Sequence, residues 1–202
     1  MNLTTIKSNS IVEETINKSK FIAYSFCLQN FEQIEQDLNI LRQKYPDATH
    51  ICYAYRFLST EKCVDDGEPQ STAGKPILEC IKKQNYNNVL VVVVRYFGGI
   101  KLGAGGLVRA YGNMAQKVLV ISGQKDMFDC KKISFQTPIT ENKKLANLSK
   151  IENIFECKID YGEDIKISFY SPIYEYENVC KNIENLFGKS INFKVSEENY
   201  LI

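Results

Sequence analysis

The chain has 202 residues, 44% apolar and 11% aromatic residues, and a formal net charge of +1 at pH 7. This composition is typical of a globular protein with one large or two small domains, and the near-zero charge excludes a whole-protein field that attracts nucleic acid, so such binding would need a local patch. Seven dispersed cysteines, with no export signal and no apolar run of membrane-spanning length, predict a cytoplasmic protein with reduced thiols.

The first elements alternate between strand and helix. Residues 1–19 are polar and would form a short edge strand or a mobile arm. Alternating apolar residues over Lys20–Leu28 predict a strand. Asn30 is then placed to cap a helix that ends at Pro46.

The next predicted strand, Thr49–Phe57, carries the only histidine of the chain. Alternation places His50 and Arg56 on the same face of this strand. A single histidine is more often structural than catalytic. Both side chains are nevertheless candidates for binding an anion.

The polar segment Glu61–Lys75 is predicted to be a solvated loop with a turn at Asp66-Gly67. The carboxylates of Asp66 and Glu68 could alternatively hold a metal ion or act as acid and base. Pro76 suits the first turn of a helix that runs to about Gln84.

The most informative stretch is a strand, a glycine-rich loop and a helix in direct succession. Val89–Val94 is a continuous β-branched and apolar run, which is typical of a strand covered on both faces. The loop Gly98–Gly106 follows, and a helix begins near Gly105. This arrangement presents backbone N–H groups to an anion, although the glycines could instead serve only close packing. The sequence contains no P-loop, because Pro76 follows Gly74-Lys75 where that motif needs Ser or Thr. The glycine-rich loop is not a dinucleotide fingerprint either, because Val108 stands where the third glycine is needed.

A second unit follows a linker at residues 122–130. Its predicted order of strand, helix, two strands, helix and strand is that of a ferredoxin-like fold. The domain bounds are therefore predicted as 1–125 and 131–202. The elements are strands at 131–139, 154–161, 165–170 and 191–195, a helix from Thr140 to Ile151, and a helix that starts at Ser171-Pro172 and ends at Gly188.

Several motifs in the first unit resemble those of the Impact/YigZ family. They are Lys18–Ile22, Thr49–Arg56, Asp66-Gly-Glu-Pro69, Thr72-Ala-Gly-Lys-Pro76 and the block from Val93 to Gly112. Together they extend over most of residues 16–122. The resemblance implies an α+β protein whose N-terminal domain is like domain 2 of ribosomal protein S5, followed by the ferredoxin-like βαββαβ domain. It also implies a role in regulating translation, because eukaryotic relatives act on translation initiation.

The favoured hypothesis is a translation-associated protein that contacts RNA or the ribosome through phosphate groups. Ser and Thr hydroxyls, Lys, Arg and backbone N–H groups are the usual phosphate donors. Tyr53, Tyr55, Tyr96 and Phe97 would supply stacking surfaces where they are exposed. The residues assigned to nucleic-acid or anion binding are His50, Arg56, Ser71, Thr72, Lys75, Arg95, Gly99, Lys101, Gly103, Gly105, Gly106 and Arg109.

Two alternatives remain open. The chain could be an enzyme for a phosphorylated small molecule or nucleotide, with the Gly103–Gly106 loop around the phosphates and Asp66 or Glu68 holding magnesium. It could also be a protein-interaction module without catalytic activity. The sequence shows no nucleophile–base pair or metal-ligand cluster, so no catalytic residue, metal or other cofactor is predicted, and no membrane partner is expected.

Overall fold

The computed structural model describes residues 4–201, with side chains described for residues 4–196. The chain divides into two compact units, Met1–Asp126 and Met127–Ile202. The division falls within the segment predicted as a linker. Residues 1–3 and Ile202, which the predicted domain bounds include, lie outside the described residues.

The first unit is built on a five-stranded antiparallel sheet with the order β2-β3-β6-β4-β5. Its central strand, β6, is the valine-rich run, and residues 89–94 are completely buried. Burial on both faces explains why this strand lacks a polar alternation. The strands are β2 (Ser10–Ile16), β3 (Ser19–Cys27), β4 (His50–Phe57), β5 (Thr60–Val64) and β6 (Val89–Tyr96).

Helices cover both faces of this sheet. Helix α1 (Glu32–Lys44) buries Ile34, Leu38 and Leu41 against one face. Helices α2 (Gly74–Lys83) and α3 (Gly103–Ser122) cover the other face. The alternating side chains of β6 therefore contribute to two separate hydrophobic clusters.

Two short strands of the first unit differ from the sequence prediction. The N-terminal strand β1 (Thr4–Ile6) pairs antiparallel with β7 (Gln124–Asp126), which lies in the predicted linker. Strand β5 forms a hairpin with β4 where a solvated loop was predicted. Both β5 and β7 are polar and largely exposed, so neither carries an apolar period that a sequence pattern could detect.

The second unit is a four-stranded antiparallel sheet with the order β11-β8-β10-β9. Its strands are β8 (Asp129–Pro138), β9 (Phe155–Tyr161), β10 (Asp164–Pro172) and β11 (Lys194–Leu201). Helix α5 (Tyr176–Phe187) and the short α4 (Asn142–Leu145) pack their apolar residues on one sheet face. The order of strands and helices agrees with the predicted order.

Both helices of the second unit differ in extent from the prediction. The first is divided into α4 and two 3-10 turns, Ile139–Glu141 and Leu148–Lys150. The second predicted helix was expected to start at Ser171-Pro172, and this start is wrong. Both residues still belong to β10 and pair with β8, and helix α5 begins at Tyr176. Strand pairing here overrides a local cap signal. No helix within residues 4–201 is long and apolar enough to cross a membrane.

Candidate anion-binding site

The candidate site lies at one end of the first sheet, where β6 ends and β3 and β4 begin. In the strand register, Lys20 pairs with Tyr96, and His50 pairs with Arg95. The glycine-rich loop, residues 97–102, leaves β6 at this end and leads directly into α3. The sheet therefore brings the start of the histidine-containing strand β4, the motif Lys18–Ile22 and the glycine-rich loop together at one end.

A buried ion pair lies beneath the loop. Arg95 Nη1 is 2.5 Å from Glu68 Oε1, and the side chains of these residues are 5% and 3% exposed. The Tyr111 hydroxyl donates a hydrogen bond to the same carboxylate oxygen, Glu68 Oε1, at 2.8 Å. Arg95 Nη2 donates to Ser19 Oγ at 3.2 Å. Arg95, which the sequence suggested as a phosphate ligand, thus lies in the interior and is paired with a carboxylate.

His50 joins the edge of this network. Its Nδ1 is 2.8 Å from the backbone oxygen of Asp66, and its Nε2 is 3.8 Å from Glu68 Oε1. The Asp66 carboxylate accepts the N–H of Ile51 at 2.6 Å. The carboxylates of Asp66 and Glu68 are therefore already engaged by the chain itself. Among the described residues, no three His, Cys, Asp or Glu side chains are grouped so as to hold a metal ion.

The start of α2 is closed by a carboxylate of the chain. Asp65 Oδ1 accepts the N–H groups of Ala73 at 3.0 Å and Gly74 at 2.8 Å. Its Oδ2 accepts the N–H of Ser71 at 2.8 Å. The Thr72 hydroxyl donates to Pro69 O at 2.6 Å. The Thr72 hydroxyl, which the sequence suggested as a phosphate donor, is therefore engaged within the turn, whereas the side chains of Ser71 and Lys75 are exposed.

The start of α3 is open. Its N-cap residue is Leu102, no side chain caps the helix, and the first turn contains no acidic residue. Within the described part of the chain, the N–H groups of Gly103, Ala104 and Gly105 donate to no acceptor. All three residues are exposed. The unpaired N–H groups and the helix dipole make this turn a favourable position for an anion.

Three glycines give the loop its shape, and a fourth is free of structural demands. A Cβ atom on Gly98 would lie 1.9 Å from Lys18 O, so only glycine allows this close backbone approach. Gly99 and Gly103 have φ values of +85° and +72°, which disfavour any side chain. Gly105 has no positive φ, and a Cβ there would contact nothing within 4 Å. Packing therefore does not explain a glycine at position 105.

Four exposed cations lie on segments near this turn. The backbone of Lys18 approaches Gly98 closely, and Lys101 lies inside the loop. Arg109 lies in α3 one helical turn after Gly105, and Lys75 lies in α2, which packs against α3. Among residues 4–196, none of the four cations forms an ion pair. Lys18 was absent from the predicted site, although its motif was part of the family resemblance.

Other predicted residues lie elsewhere or are buried. Arg56 pairs with Val89 at the opposite end of β4 and donates to Tyr86 O at 3.1 Å. Tyr53 and Tyr55 are buried in the core, whereas Phe97, the first residue of the loop, is 45% exposed. Of the aromatic residues considered for stacking, Phe97 therefore has the most accessible ring.

The hydroxyl and thiol groups of the network are poor nucleophiles. Burial raises the pKa of Cys52 to about 12, and burial also raises the pKa of Tyr111 well above its usual value. Cys52 donates to Asp65 O at 2.9 Å. Both groups therefore stay protonated at neutral pH and act as hydrogen-bond donors in a rigid support for the loop.

Comparison with known proteins decides the family. Residues 17–119 match the model of the Impact N-terminal domain. The chain therefore belongs to the IMPACT family. It is 31% identical over 200 residues to the IMPACT family member YvyE of Bacillus subtilis, covering 98% of this chain and 92% of that protein. It is also 38% identical to an IMPACT family member of Thermus thermophilus over 78% of this chain and 86% of that protein.

The family likeness extends to both units. A crystal structure described as that of a hypothetical protein matches with a TM-score of 0.68 at 26% identity, covering 98% of each chain. The match to Protein IMPACT of Danio rerio is 36% identical but covers only 55% of this chain and 37% of that protein. The predicted family membership is confirmed, and a match to the Escherichia coli member YigZ at 39% identity over 54% of this chain agrees with it.

Proposed function

We propose that this IMPACT family protein binds RNA through its phosphate groups at the start of α3 and acts in the regulation of translation. The observation that carries the proposal is the contrast between two helix starts in one unit. Asp65 closes the start of α2, whereas the N–H groups at the start of α3 are unpaired and lie between Lys101 in the loop and Arg109 in the helix. A phosphate would complete the α3 turn as the Asp65 carboxylate completes α2.

The geometry supports a polyanion better than a single small anion. The four cations come from separate segments rather than from one turn: Lys18 precedes β3, Lys101 lies in the loop, Arg109 in α3 and Lys75 in α2. Such a distribution can follow successive phosphates of a strand. The exposed ring of Phe97 supplies a stacking surface beside them. The link to translation comes from the family resemblance.

Mutation of the cations tests this function. A Lys75→Ala, Lys101→Ala, Arg109→Ala variant should bind a fluorescent single-stranded RNA at least tenfold more weakly in an anisotropy titration. The slope of log affinity against log salt should fall by about 2, because each lost phosphate contact on a single strand removes about 0.7. All three side chains are exposed, so the fold should be retained.

A matched control separates the site from general charge. Lys62, Lys83 and Lys125 are also exposed and form no ion pair within the described residues. Their triple substitution by alanine makes the same change in net charge away from the start of α3. Equal losses in the two triple variants, or unchanged affinity in the first, would refute the proposed site.

One observation favours a protein partner as a second candidate. Phe97, Ile100 and Val108 are 45%, 43% and 41% exposed around the start of α3. Apolar side chains grouped on a surface often mark contact sites between proteins. The RNA titration distinguishes the two candidates, because a module that serves only a protein contact should bind the single-stranded RNA no better than its Lys75→Ala, Lys101→Ala, Arg109→Ala variant does. The nucleotide-enzyme alternative has less support, since Asp66 and Glu68 are engaged within the chain.

We also propose a fold for each unit and a cellular location for the protein. The first unit is proposed to share the fold of domain 2 of ribosomal protein S5, and the second unit to be ferredoxin-like. The strand-helix-strand-strand-helix-strand order and the antiparallel sheet of the second unit support the latter assignment. A cytoplasmic location is proposed because the seven cysteines are free thiols.

A further inference from the structure

The second unit has a depression of about 460 Å³ on one face of its sheet. Along β8 and β10, Ile133, Phe135 and Ile167 point into the core beneath the helices. The intervening residues therefore point to the opposite face, which no helix within residues 127–201 covers. The depression is lined there by Lys132, Lys166, Lys194, Ser134 and Ser168, together with Asp160 and other polar residues.

The strand register arranges these side chains in a row. Ser134 pairs with Lys194 on one side and with Ser168 on the other. Ser168 in turn pairs with Lys158. The row Lys194, Ser134, Ser168, Lys158 therefore crosses all four strands, a width of roughly 14 Å at the usual strand spacing. Two hydroxyl groups lie between two lysines, which is a suitable set of donors for phosphate oxygens.

The lysines of this face form no ion pair among the residues whose side chains the structure describes: Lys132, Lys158, Lys166 and Lys194 are absent from every salt bridge there. The depression is lined by three of these lysines and by one carboxylate, that of Asp160, which pairs in register with Lys166. An excess of cations over a concave surface concentrates anionic ligands.

Aromatic rings lie beside the cationic row. Lys132 Nζ is 6.0 Å from the centroid of the Tyr170 ring. Tyr170 pairs with Phe155, whose ring stacks on that of Phe128 at 5.7 Å between centroids. Lysines that hold phosphates next to rings that stack on bases are the combination used for single-stranded nucleic acid. An acidic peptide would use the lysines but not the rings.

We propose that this open sheet face, defined by Lys132, Lys158, Lys166, Lys194, Ser134 and Ser168, binds a single-stranded RNA segment. The lysines and serines contact its phosphates, and Tyr170 and Phe155 contact its bases. This surface lies in the other unit from the α3 site, so the inference extends beyond the proposed function and does not depend on it.

The test uses the full chain in which Lys75, Lys101 and Arg109 have been replaced by alanine. A fluorescein-labelled 12-nucleotide oligouridylate is titrated by anisotropy. Adding Lys132→Ala, Lys166→Ala and Lys194→Ala should weaken the remaining affinity at least tenfold. The control set Lys143→Ala, Lys150→Ala and Lys181→Ala removes the same charge from exposed positions on helical segments of this unit and should change affinity less than twofold.

A further pair of variants identifies the ligand class. Tyr170→Leu and Phe155→Leu keep apolar bulk but remove the aromatic rings, and each should weaken oligouridylate binding about threefold or more. Thermal unfolding confirms that each variant folds. Equal effects of the two lysine sets would overturn the proposal, as would leucine variants with full affinity together with equal competition by a polyglutamate peptide. If the α3 variant alone leaves affinity intact while the sheet variant abolishes it, the proposed function fails and this inference stands.

Discussion

Replacing Gly105 by alanine separates stability from function at the start of α3. A Cβ at this position contacts nothing within 4 Å, and the residue has no positive φ. Alanine is favoured over glycine within a helix by about 0.5–1 kcal/mol. The free energy of unfolding should therefore rise by about that amount. For a chain of this size the melting temperature should increase by about 1–4 °C.

The same methyl group should weaken RNA binding. It would be placed on the exposed first turn, where a phosphate approaches the N–H groups of Gly103, Ala104 and Gly105. Loss or lengthening of one charge-assisted hydrogen bond removes about 1.5–3 kcal/mol, which is about a tenfold or greater decrease in affinity. Urea unfolding measures the first effect, and anisotropy with single-stranded RNA measures the second.

Gly112→Ala provides the matched control. Gly112 is in the same helix, and its added Cβ would make an ordinary contact with Pro76 Cβ at 3.9 Å. This variant should gain similar stability and keep its RNA affinity. Unchanged affinity in Gly105→Ala would show that no ligand approaches these N–H groups. A loss of stability in that variant would show that the turn has a packing role, and either result refutes the reasoning.

The remaining predictions concern the network beneath the loop. Arg95→Met should destabilise the protein by about 3–5 kcal/mol in urea unfolding, because it leaves the Glu68 carboxylate buried without its cation, and a loss below 1 kcal/mol would contradict this. Gly98→Ala should lower the melting temperature and weaken RNA binding together, because a Cβ would lie 1.9 Å from Lys18 O; a variant that melts normally would contradict the close approach. The folded protein holds the thiol proton of Cys52, with a pKa of about 12, more tightly than the unfolded chain, so the free energy of unfolding should decline as pH rises from about 9 towards 12, by up to about 1.4 kcal/mol per pH unit. Cys52→Ala should flatten that part of the stability–pH curve, and an unchanged curve would exclude this thiol as its source.

Periodic burial explains which elements the sequence predicts. The β6 run and the alternating β4 and β10 strands are identified because each is covered by core residues on at least one face. Strands β5 and β7 carry no such signal, because pairing with β4 and β1 defines them. The helix predicted at 140–151 is broken because side-chain hydrogen bonds compete with the helical backbone hydrogen bonds. For example, the Ser149 hydroxyl donates a hydrogen bond to Ala146 O at 3.1 Å.

Residue type predicts the region of the site but not the direction of each side chain. Lys101 and Arg109 are exposed, as a phosphate ligand requires. Arg95 is equally cationic but pairs with Glu68, which is 27 residues away in the chain. A contact between residues so far apart in the chain leaves no local sequence pattern. Residue type alone therefore assigned Arg95 to an anion and Glu68 to a metal ion or to acid–base chemistry, whereas the two side chains bind each other.

The buried pair and the open helix start are parts of one arrangement. Tyr111 lies in α3 beyond the glycine turn, and its hydroxyl fixes the helix to Glu68, which Arg95 connects to Ser19 and β3. Because Glu68 neutralises Arg95, the uncompensated positive charge of this edge lies outside, on Lys18, Lys101 and the helix N–H groups. The network therefore holds the turn rigid without occupying its donors. Pre-organised donors of this kind bind an anion without the entropy loss of ordering a loop.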